Sequence, residues 1–349
     1  MMIWEGYARK GLDVNDENIV FFNVLQPPFK IYGINDASVS FHRMPDSIAA
    51  AASGGVAEKN CSPSGGRVRF ATNSASVAVR VVMKEWCGAP HITPLAYTGF
   101  DLYAGKNGKE YYAGSFYPAL DGKEGYEGIK RFGSCGMREY TLNLPLFNEI
   151  YELYIGVEKG SDVIPHSPYR KEKPVVFYGS SITQGVSASR PGTTYESVLC
   201  RMLDCNYINL GFSGCAKGEE ALAEYISGLD MSAFVMDYDH NAPDPDYLER
   251  THYRFFKRVR DKNHNLPIIL MTKPDGGLDE ENMRRRSIIM QTYLSARAAG
   301  DKNVYFIDGY EFFAGYARGD CTVDGCHPND LGFHLMAEKT ASVLGKILF

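Results

Sequence analysis

The chain has 349 residues, 44% of them hydrophobic and 23% charged, which is the balance of an ordinary globular protein long enough for two domains. A formal net charge of -5, without a long basic run, excludes the electrostatic surface expected of a nucleic-acid-binding protein. No run of about 18 apolar residues occurs, so we expect no segment that spans a membrane.

Period-two alternation of apolar and polar residues marks the region 1–165 as β-structure. Four runs carry this pattern: Arg67–Ala71, Ser76–Val82, Tyr140–Leu146 and Tyr151–Val157. Clusters of Gly, Asn, Ser and Pro separate the runs, and amphipathic helical stretches are scarce. The small apolar segment Ser47–Ser53 is interpreted as a loop turn. We therefore predict that 1–165 forms an antiparallel β-sandwich domain, jelly-roll-like in type.

A polar, proline-containing stretch over 159–173 marks the expected domain boundary, and apolar strands then alternate with helical segments. The predicted strands are Val175–Tyr178, Tyr207–Gly211, Phe234–Tyr238, Ile268–Thr272 and Val304–Ile307. The predicted helices are Tyr195–Leu203, Glu219–Leu229, Tyr247–Lys262, Glu280–Ala299 and a last one near 331–347. This alternation predicts a second domain, 174–349, with a five-stranded parallel sheet and helices on both faces.

Polar residues follow four of these strands at one edge of the sheet, where ligands bind in open α/β folds. In chain order they are Gly179-Ser180-Ser181, Asn209 to Gly214, Asp237 to Asn241, and Asp324 to His327. Each group alone has a simpler explanation, such as a glycine turn, an Asx turn, or a helix start at Pro328. Their joint occurrence in this order favours a single site.

These residue types suit acyl transfer. A serine hydroxyl, here Ser181, is a weak nucleophile until a base such as the His327 imidazole takes its proton. Asp324, three residues before that histidine, can hold the other ring nitrogen. The backbone N–H groups of Ser181 and Gly214, with the Asn241 amide, can stabilise the oxyanion. We predict Ser181, Asp324 and His327 as catalytic residues, and Ser181, Gly214 and Asn241 as the oxyanion hole.

From Lys173 to the C-terminus, the four blocks resemble the SGNH (GDSL-type) hydrolases, named for their shared Ser, Gly, Asn and His. Gly99-Phe-Asp-Leu-Tyr103 resembles the Gly-x-Asp-Leu-Tyr signature of the β-domain that precedes one bacterial subgroup of these esterases. The resemblance implies a flavodoxin-like α/β/α catalytic domain and a serine mechanism that requires no metal or cofactor. Within the signature, Asp101 and Tyr103 are interpreted as turn and core residues, or as part of the active-site rim.

Two departures from the family pattern leave alternatives open. Ser180 stands where the family usually has Asp, so either serine could be the nucleophile, although the register of the block favours Ser181. The third block reads Asp239-His240-Asn241 in place of Gly-x-Asn, which makes His240 an alternative base. No Gly-x-Ser-x-Gly elbow of the α/β-hydrolases occurs.

We predict a serine esterase that hydrolyses a short-chain ester, in particular an O-acetyl group on a carbohydrate, through an acyl-enzyme. The accessory β-domain resembles the arrangement in carbohydrate acetylesterases, and 23 Tyr and 19 Phe are compatible with sugar stacking. A lipolytic or acyl-thioester hydrolase is the alternative enzyme. A glycan-binding protein with an inactive hydrolase domain is the alternative outside enzymes.

The eight cysteines include no C-x-x-C pair. Cys321 and Cys326 flank the predicted histidine loop and could pair in an oxidising compartment, although free or buried thiols are favoured. Met1–Lys10 lacks the apolar core of a signal peptide. We therefore expect a cytoplasmic protein if this start is native, and a periplasmic or secreted one if a leader has been removed.

Overall fold

Two structural units are present in the computed structural model, which describes residues 14, 16–86, 88–106, 109–118, 124–133, 136–274, 277 and 279–349. Predictions made on Met1–Lys10, Cys87 and Cys135 lie outside these residues. The β unit comprises Met1–Arg43, Cys61–Arg170 and Ser189–Gly192, and the α/β unit comprises Met44–Asn60, Lys171–Ala188 and Thr193–Phe349.

The β unit is built from antiparallel sheets, as the period-two pattern predicts. Its strands in the described residues are β1 Ile19–Asn23, β2 Lys30–Tyr32, β3 Arg67–Thr72, β4 Ser76–Met83, β5 Phe100–Ala104, β6 Tyr111–Phe116, β7 Gly125–Arg131, β8 Arg138–Asn143, β9 Ile150–Glu158 and β10 Val163–Ile164. One sheet has the order β1-β9-β4-β7, and the other has the order β10-β3-β8-β5-β6 with β2 paired to β3. Apolar side chains from both sheets, such as Val79 and Leu142, form one buried cluster. The prediction of an antiparallel β-domain is confirmed.

The loop turn predicted at Ser47–Ser53 is wrong. Helix α1 (Asp46–Ala52) occupies this segment, and helix α2 (Gly54–Asn60) follows it directly. Ala49 and Val56 are fully buried and belong to the apolar core of the α/β unit. Because such short helices are marginal in water, packing against this core explains them better than local propensity does.

The Gly-x-Asp-Leu-Tyr signature lies on β5, just after the short helix α3 (Pro94–Thr98). Asp101 is fully buried, and its carboxylate accepts hydrogen bonds of 2.9 Å from the Gly192 N–H and of 2.9 Å from Asn143 Nδ2. Arg190 Nε lies 3.1 Å from the same carboxylate. These contacts compensate the burial of a charge. Asp101 is therefore a core residue that holds the segment Ser189–Gly192 within the β unit.

We expect Asp101→Ala to lower the free energy of unfolding by about 1–3 kcal/mol, because it leaves the buried Gly192 N–H and the Asn143 amide without their acceptor. Urea unfolding of the whole chain, followed by circular dichroism, measures this loss. Glu17→Ala, at an exposed acidic residue, is the matched control and should change little. Equal midpoints for the two variants would contradict the anchoring role of Asp101.

The α/β unit contains a five-stranded parallel sheet, which confirms the predicted fold. Its strands are β11 Lys171–Gly179, β12 Cys205–Gly211, β13 Ala233–Asp237, β14 Ile268–Met271 and β15 Val304–Ile307, in the order β12-β11-β13-β14-β15. The helices are α4 Ser181–Gln184, α5 Tyr195–Leu203, α6 Glu220–Ser227, α7 Pro245–Lys262, α8 Glu280–Ala298 and α9 Asp330–Leu348. Short 3-10 helices lie at Pro191–Thr193, Asp239–Asn241, Gly309–Glu311 and Arg318–Cys321. The strand order reverses between β11 and β13, so a crevice is expected at their carboxyl ends.

The units are not two uninterrupted stretches of sequence. Met44–Asn60 groups with the α/β unit although it precedes the expected boundary, and Ser189–Gly192 groups with the β unit although it follows it. Within the expected boundary stretch, β10 pairs with β3, and β11 begins at Lys171. Among the helices described, none combines the length and the apolar character needed to cross a membrane.

Candidate active site

The turn between β11 and α4 separates the roles of the two serines. Gly179 ends the strand, and a Cβ there would clash with the Thr183 side chain. Ser180 is fully buried and caps α4, with its Oγ accepting a hydrogen bond from the Ile182 N–H (3.2 Å). Ser181 is the first helical residue, is 9% exposed and lines a cleft. The geometry thus favours Ser181 over Ser180 as the nucleophile.

Side-chain amides tie α4 to the loop after β12. Asn209 Nδ2 donates to the Thr183 carbonyl (2.5 Å), and Gln184 Oε1 accepts from the Ser213 N–H (2.8 Å). A Cβ at Gly211 would collide with the Gln184 backbone. Glycine is therefore required there for close packing, and these contacts hold the serine turn in one geometry.

Ser181, His327 and Asp324 form a continuous chain of polar contacts. Ser181 Oγ lies 2.9 Å from His327 Nε2, and His327 Nδ1 lies 2.7 Å from Asp324 Oδ2. Asp324 Oδ1 also accepts hydrogen bonds from the backbone N–H groups of His327 (2.8 Å) and Cys326 (3.0 Å). Burial alone would raise the pKa of Asp324, but these hydrogen bonds outweigh it and lower the pKa to about 2. An ionised Asp324 favours the tautomer in which Nδ1 carries the proton and Nε2 faces the serine.

A backbone hydrogen bond closes the loop that carries Asp324 and His327. The Val323 N–H donates to the His327 carbonyl (2.9 Å), and Asn329 caps α9 by accepting from the Leu331 N–H (3.0 Å). Asn329 is therefore the residue that caps the start of α9. The Asp324 carboxylate is not used for capping and is available to His327.

The cysteine pair considered from the sequence is not formed. Cys326 carries a free thiol, and Cys321 Sγ donates a weak 3.8 Å hydrogen bond to the Ala317 carbonyl.

Three possible hydrogen-bond donors belong to residues that line the cleft, namely Ser181, Gly214 and Asn241. Among the hydrogen bonds of the described residues, the backbone N–H groups of Ser181 and Gly214 donate to no protein acceptor. Gly214 has a φ of +71°, a left-handed conformation that favours glycine. Asn241 Nδ2 donates one hydrogen to the Phe212 carbonyl (3.1 Å), and its second hydrogen is available. The arrangement can hydrogen-bond an anionic oxygen.

The cleft itself has a volume of about 590 Å³, and the described residues that line it are mostly polar or charged. Besides the predicted residues, its lining includes Asp239, His240, Lys273, Asn282 and Arg285. Sequence reasoning did not identify the last three. Lys273 follows the end of β14, so the argument that gathered residues after the other four strands could have found it. Asn282 and Arg285 lie on α8, with no local signal of a site.

His240 is the alternative base suggested by the sequence, but the histidine within hydrogen-bond reach of Ser181 Oγ is His327. His240 Nε2 lies 3.7 Å from Asp239 Oδ1. Burial, reinforced by the nearby charge of Lys273, lowers the pKa of His240 well below its usual value. The Ser181–His327 geometry therefore favours His327 as the base.

A different cluster has the spacing of a metal site. His42, Cys61 and Glu149, in the β unit, have ligand atoms within 4.8 Å of one another. His42 Nε2 already lies 3.4 Å from Glu149 Oε1, and the buried Arg43 guanidinium interacts electrostatically with Cys61. A positive charge so close to the thiol disfavours a second cation. We assign no metal to this cluster.

Comparison with known proteins finds two family models that match this chain. The family model "GDSL-like Lipase/Acylhydrolase family" matches residues 172–345, and the GxDLY model, the N-terminus of SGNH-hydrolase-type esterases, matches residues 19–163. A search of curated protein sequences finds no match.

Solved structures extend the similarity to both units. A protein assigned as a GDSL-like lipase from Bacteroides ovatus is 31% identical, with a TM-score of 0.85 over 95% of this chain and 98% of that one. The salicylyl-acyltransferase SsfX3 from a tetracycline biosynthetic pathway is 18% identical, with a TM-score of 0.79 over 95% and 99%. A family two carbohydrate esterase from Clostridium thermocellum is 15% identical, with a TM-score of 0.59 over 82% and 93%.

The chain belongs to the GDSL-like (SGNH) lipase/acylhydrolase family and carries the GxDLY N-terminal domain of that family's esterases. It is a carboxylic ester hydrolase.

Proposed function

We propose that the protein is a serine esterase that removes short acyl groups, in particular O-acetyl groups from a carbohydrate, through an acyl-enzyme. The observation that carries this proposal is the unbroken chain from Ser181 Oγ through His327 to Asp324, with separations of 2.9 and 2.7 Å. Both separations lie within the range for proton transfer between a nucleophile, its base and the group that orients the base.

The proposed reaction has two halves. Ser181 Oγ attacks the ester carbonyl carbon while His327 Nε2 takes the hydroxyl proton, and Asp324 stabilises the resulting imidazolium. The tetrahedral oxyanion accepts hydrogen bonds from the Ser181 and Gly214 N–H groups and the Asn241 amide. Collapse breaks the bond to the alcohol, which leaves with the proton from His327. A water molecule, deprotonated by His327, then hydrolyses the acyl-enzyme and restores Ser181.

The lining of the cleft supports a small acyl group and a polar alcohol. Among the described residues that line it, none is a Leu, Ile, Val, Met, Phe, Tyr or Trp. A long acyl chain would therefore find no large hydrophobic side chain among these residues to pack against. Hydrogen bonds from groups such as Lys273 and Asn282, rather than stacking on aromatic rings, would hold a sugar in this cleft. Similar folds include a family two carbohydrate esterase and an acetyl xylan esterase from Butyrivibrio proteoclasticus, which motivates the carbohydrate assignment.

A lipolytic hydrolase is the second candidate, favoured by the similarity to a GDSL-like lipase at 31% identity. The polar cleft speaks against it. The arrangement of Ser181, His327 and Asp324 likewise speaks against a glycan-binding protein without activity, because such a protein has no need of an oriented base.

Acyl chain length separates these candidates. We expect kcat/KM for p-nitrophenyl acetate to exceed that for p-nitrophenyl octanoate by about tenfold or more, because no large hydrophobic side chain among the described lining residues would contact the longer chain. Initial rates over the series from acetate to octanoate measure this ratio. A preference for octanoate would favour the lipolytic alternative and count against carbohydrate acetyl esters.

A further inference from the structure

A second imidazole–carboxylate pair borders the same cleft. Asp239 and His240 lie in the 3-10 turn Asp239–Asn241, and their side chains are 2% and 7% exposed. His240 Nε2 and Asp239 Oδ1 are both shielded from solvent, and neither has a hydrogen-bond partner among the described residues. These two atoms lie 3.7 Å apart. Buried polar groups without partners are costly, which calls for a functional explanation of the pair.

The surroundings set the protonation state of the pair. Burial, together with the charges of Lys273, His327 and Arg285, lowers the pKa of His240 well below its usual value, so the ring is neutral. Burial raises the pKa of Asp239 to about 6, although the Lys273 N–H, which donates to Oδ2 (3.0 Å), opposes this shift. Above that pH Asp239 is a carboxylate. A neutral imidazole has one N–H and one lone pair. At 3.7 Å the two groups are too far apart for a hydrogen bond, but the negative charge of Asp239 favours the tautomer that carries the proton on Nε2.

The remaining ring nitrogen then carries the lone pair. His240 lines the cleft, whereas its Nε2 is shielded from it, so the opposite edge of the ring, which carries Nδ1, is the one available to a ligand. A lone pair accepts a hydrogen bond from a hydroxyl and receives none from an alkyl group or a carboxylate. His240 directly precedes the proposed oxyanion donor Asn241, and both residues line the same cleft as Ser181.

We propose that His240 is a specificity-determining residue whose Nδ1 accepts a hydrogen bond from a free hydroxyl on the alcohol portion of the substrate. Asp239 acts through His240 by holding its tautomer. The cleft then selects esters of polyols, including sugars, over esters of plain alcohols. This inference rests on the proposed function, because the hydroxyl must belong to an ester that is cleaved at Ser181.

The expected size of the substrate preference follows from the free-energy cost of leaving a hydrogen-bond acceptor unpaired. An ester with a methyl group in place of the hydroxyl leaves the buried acceptor unpaired, which a site built for a hydroxyl penalises strongly. We expect wild type to prefer the hydroxylated ester by about tenfold or more in kcat/KM.

The test uses two esters of the same size, ethylene glycol monoacetate and propyl acetate, which differ by a hydroxyl in place of a methyl group. Acetate release gives kcat/KM for each. His240→Gln keeps an amide near the Nε2 position and removes the acceptor at Nδ1, so the ratio should fall towards one. His240→Asn places an amide oxygen near the Nδ1 position and should retain more of the preference. Taking the ratio cancels any general loss of activity or of folded protein.

Several outcomes would overturn the inference. A wild-type enzyme that hydrolyses both esters without preferring the glycol ester overturns it even if no variant folds. An unchanged ratio in His240→Gln does so as well. Both outcomes leave the esterase proposal intact. A wild type that hydrolyses neither ester, nor p-nitrophenyl acetate, overturns the proposed function and this inference together.

Discussion

Ser181→Ala is expected to lower kcat/KM for p-nitrophenyl acetate by about 10⁴-fold or more, because it removes the atom that attacks the carbonyl. Steady-state rates of wild type and variant at equal concentrations of folded protein measure the loss. The side chain is small and 9% exposed, so the substitution should leave the fold intact. The substitution also removes the 2.9 Å contact between Ser181 Oγ and His327 Nε2.

Ser180→Ala is the matched control, because it removes the same atom one residue earlier. Its Oγ caps α4, so the expected cost is about 1 kcal/mol of stability rather than a loss of chemistry. We expect its activity to stay within about tenfold of wild type, as a distortion of the turn has smaller consequences than loss of the nucleophile. If Ser180→Ala abolished activity and Ser181→Ala retained it, the register of the first block would be wrong.

Asp324→Asn is expected to lower kcat by about 10³–10⁴-fold, since an amide can donate to His327 Nδ1 and so favour the wrong tautomer. The 2.7 Å separation between Asp324 Oδ2 and His327 Nδ1 would be retained, which makes this a test of charge and tautomer rather than of shape. Single-turnover rates with p-nitrophenyl acetate separate the chemical step from product release. A loss of less than tenfold would mean that Asp324 does not orient the base.

Acidification should affect Asp324 only at very low pH. Its pKa is about 2 in the folded chain, against an ordinary value of 3.8, so the native state holds the carboxylate ionised. The native state then binds fewer protons here than the unfolded chain does. The resulting stabilisation is present above pH 3.8 and is lost as the pH falls towards 2. The acid limb of the wild-type rate profile therefore reports on groups other than Asp324.

The periodicity of apolar residues in the sequence predicts most of the fold. The five strands of the α/β unit are apolar runs bounded by turn residues, so their number and their parallel arrangement follow from the sequence alone. The predicted parallel sheet places Ser181, Asn241 and His327 at one edge. In the structure these three residues line one cleft. Order along the chain was sufficient because right-handed crossovers leave little choice of topology.

The features that sequence reasoning missed depend on contacts between distant residues. Helix α1 consists of small residues without a helical period, and the partners of Ala49 lie in the α/β core. Asn282 and Arg285 reach the cleft from α8, whose sequence marks it only as a charged helix. The sequence places Asp239 and His240 side by side, but the burial of both side chains could not be predicted from it.

The central claim is that Ser181 becomes acylated. The most direct measurement is a rapid acid quench of wild type turning over p-nitrophenyl acetate, followed by proteolysis and mass spectrometry of the peptides. We predict one acetyl group on the peptide that contains Ser181, at the serine itself, and none there in Ser181→Ala. The acyl-enzyme should accumulate when the alcohol leaves quickly and deacylation is slow. Continued turnover with the acetyl group on a different residue, or with Ser181→Ala as active as wild type, would contradict the account.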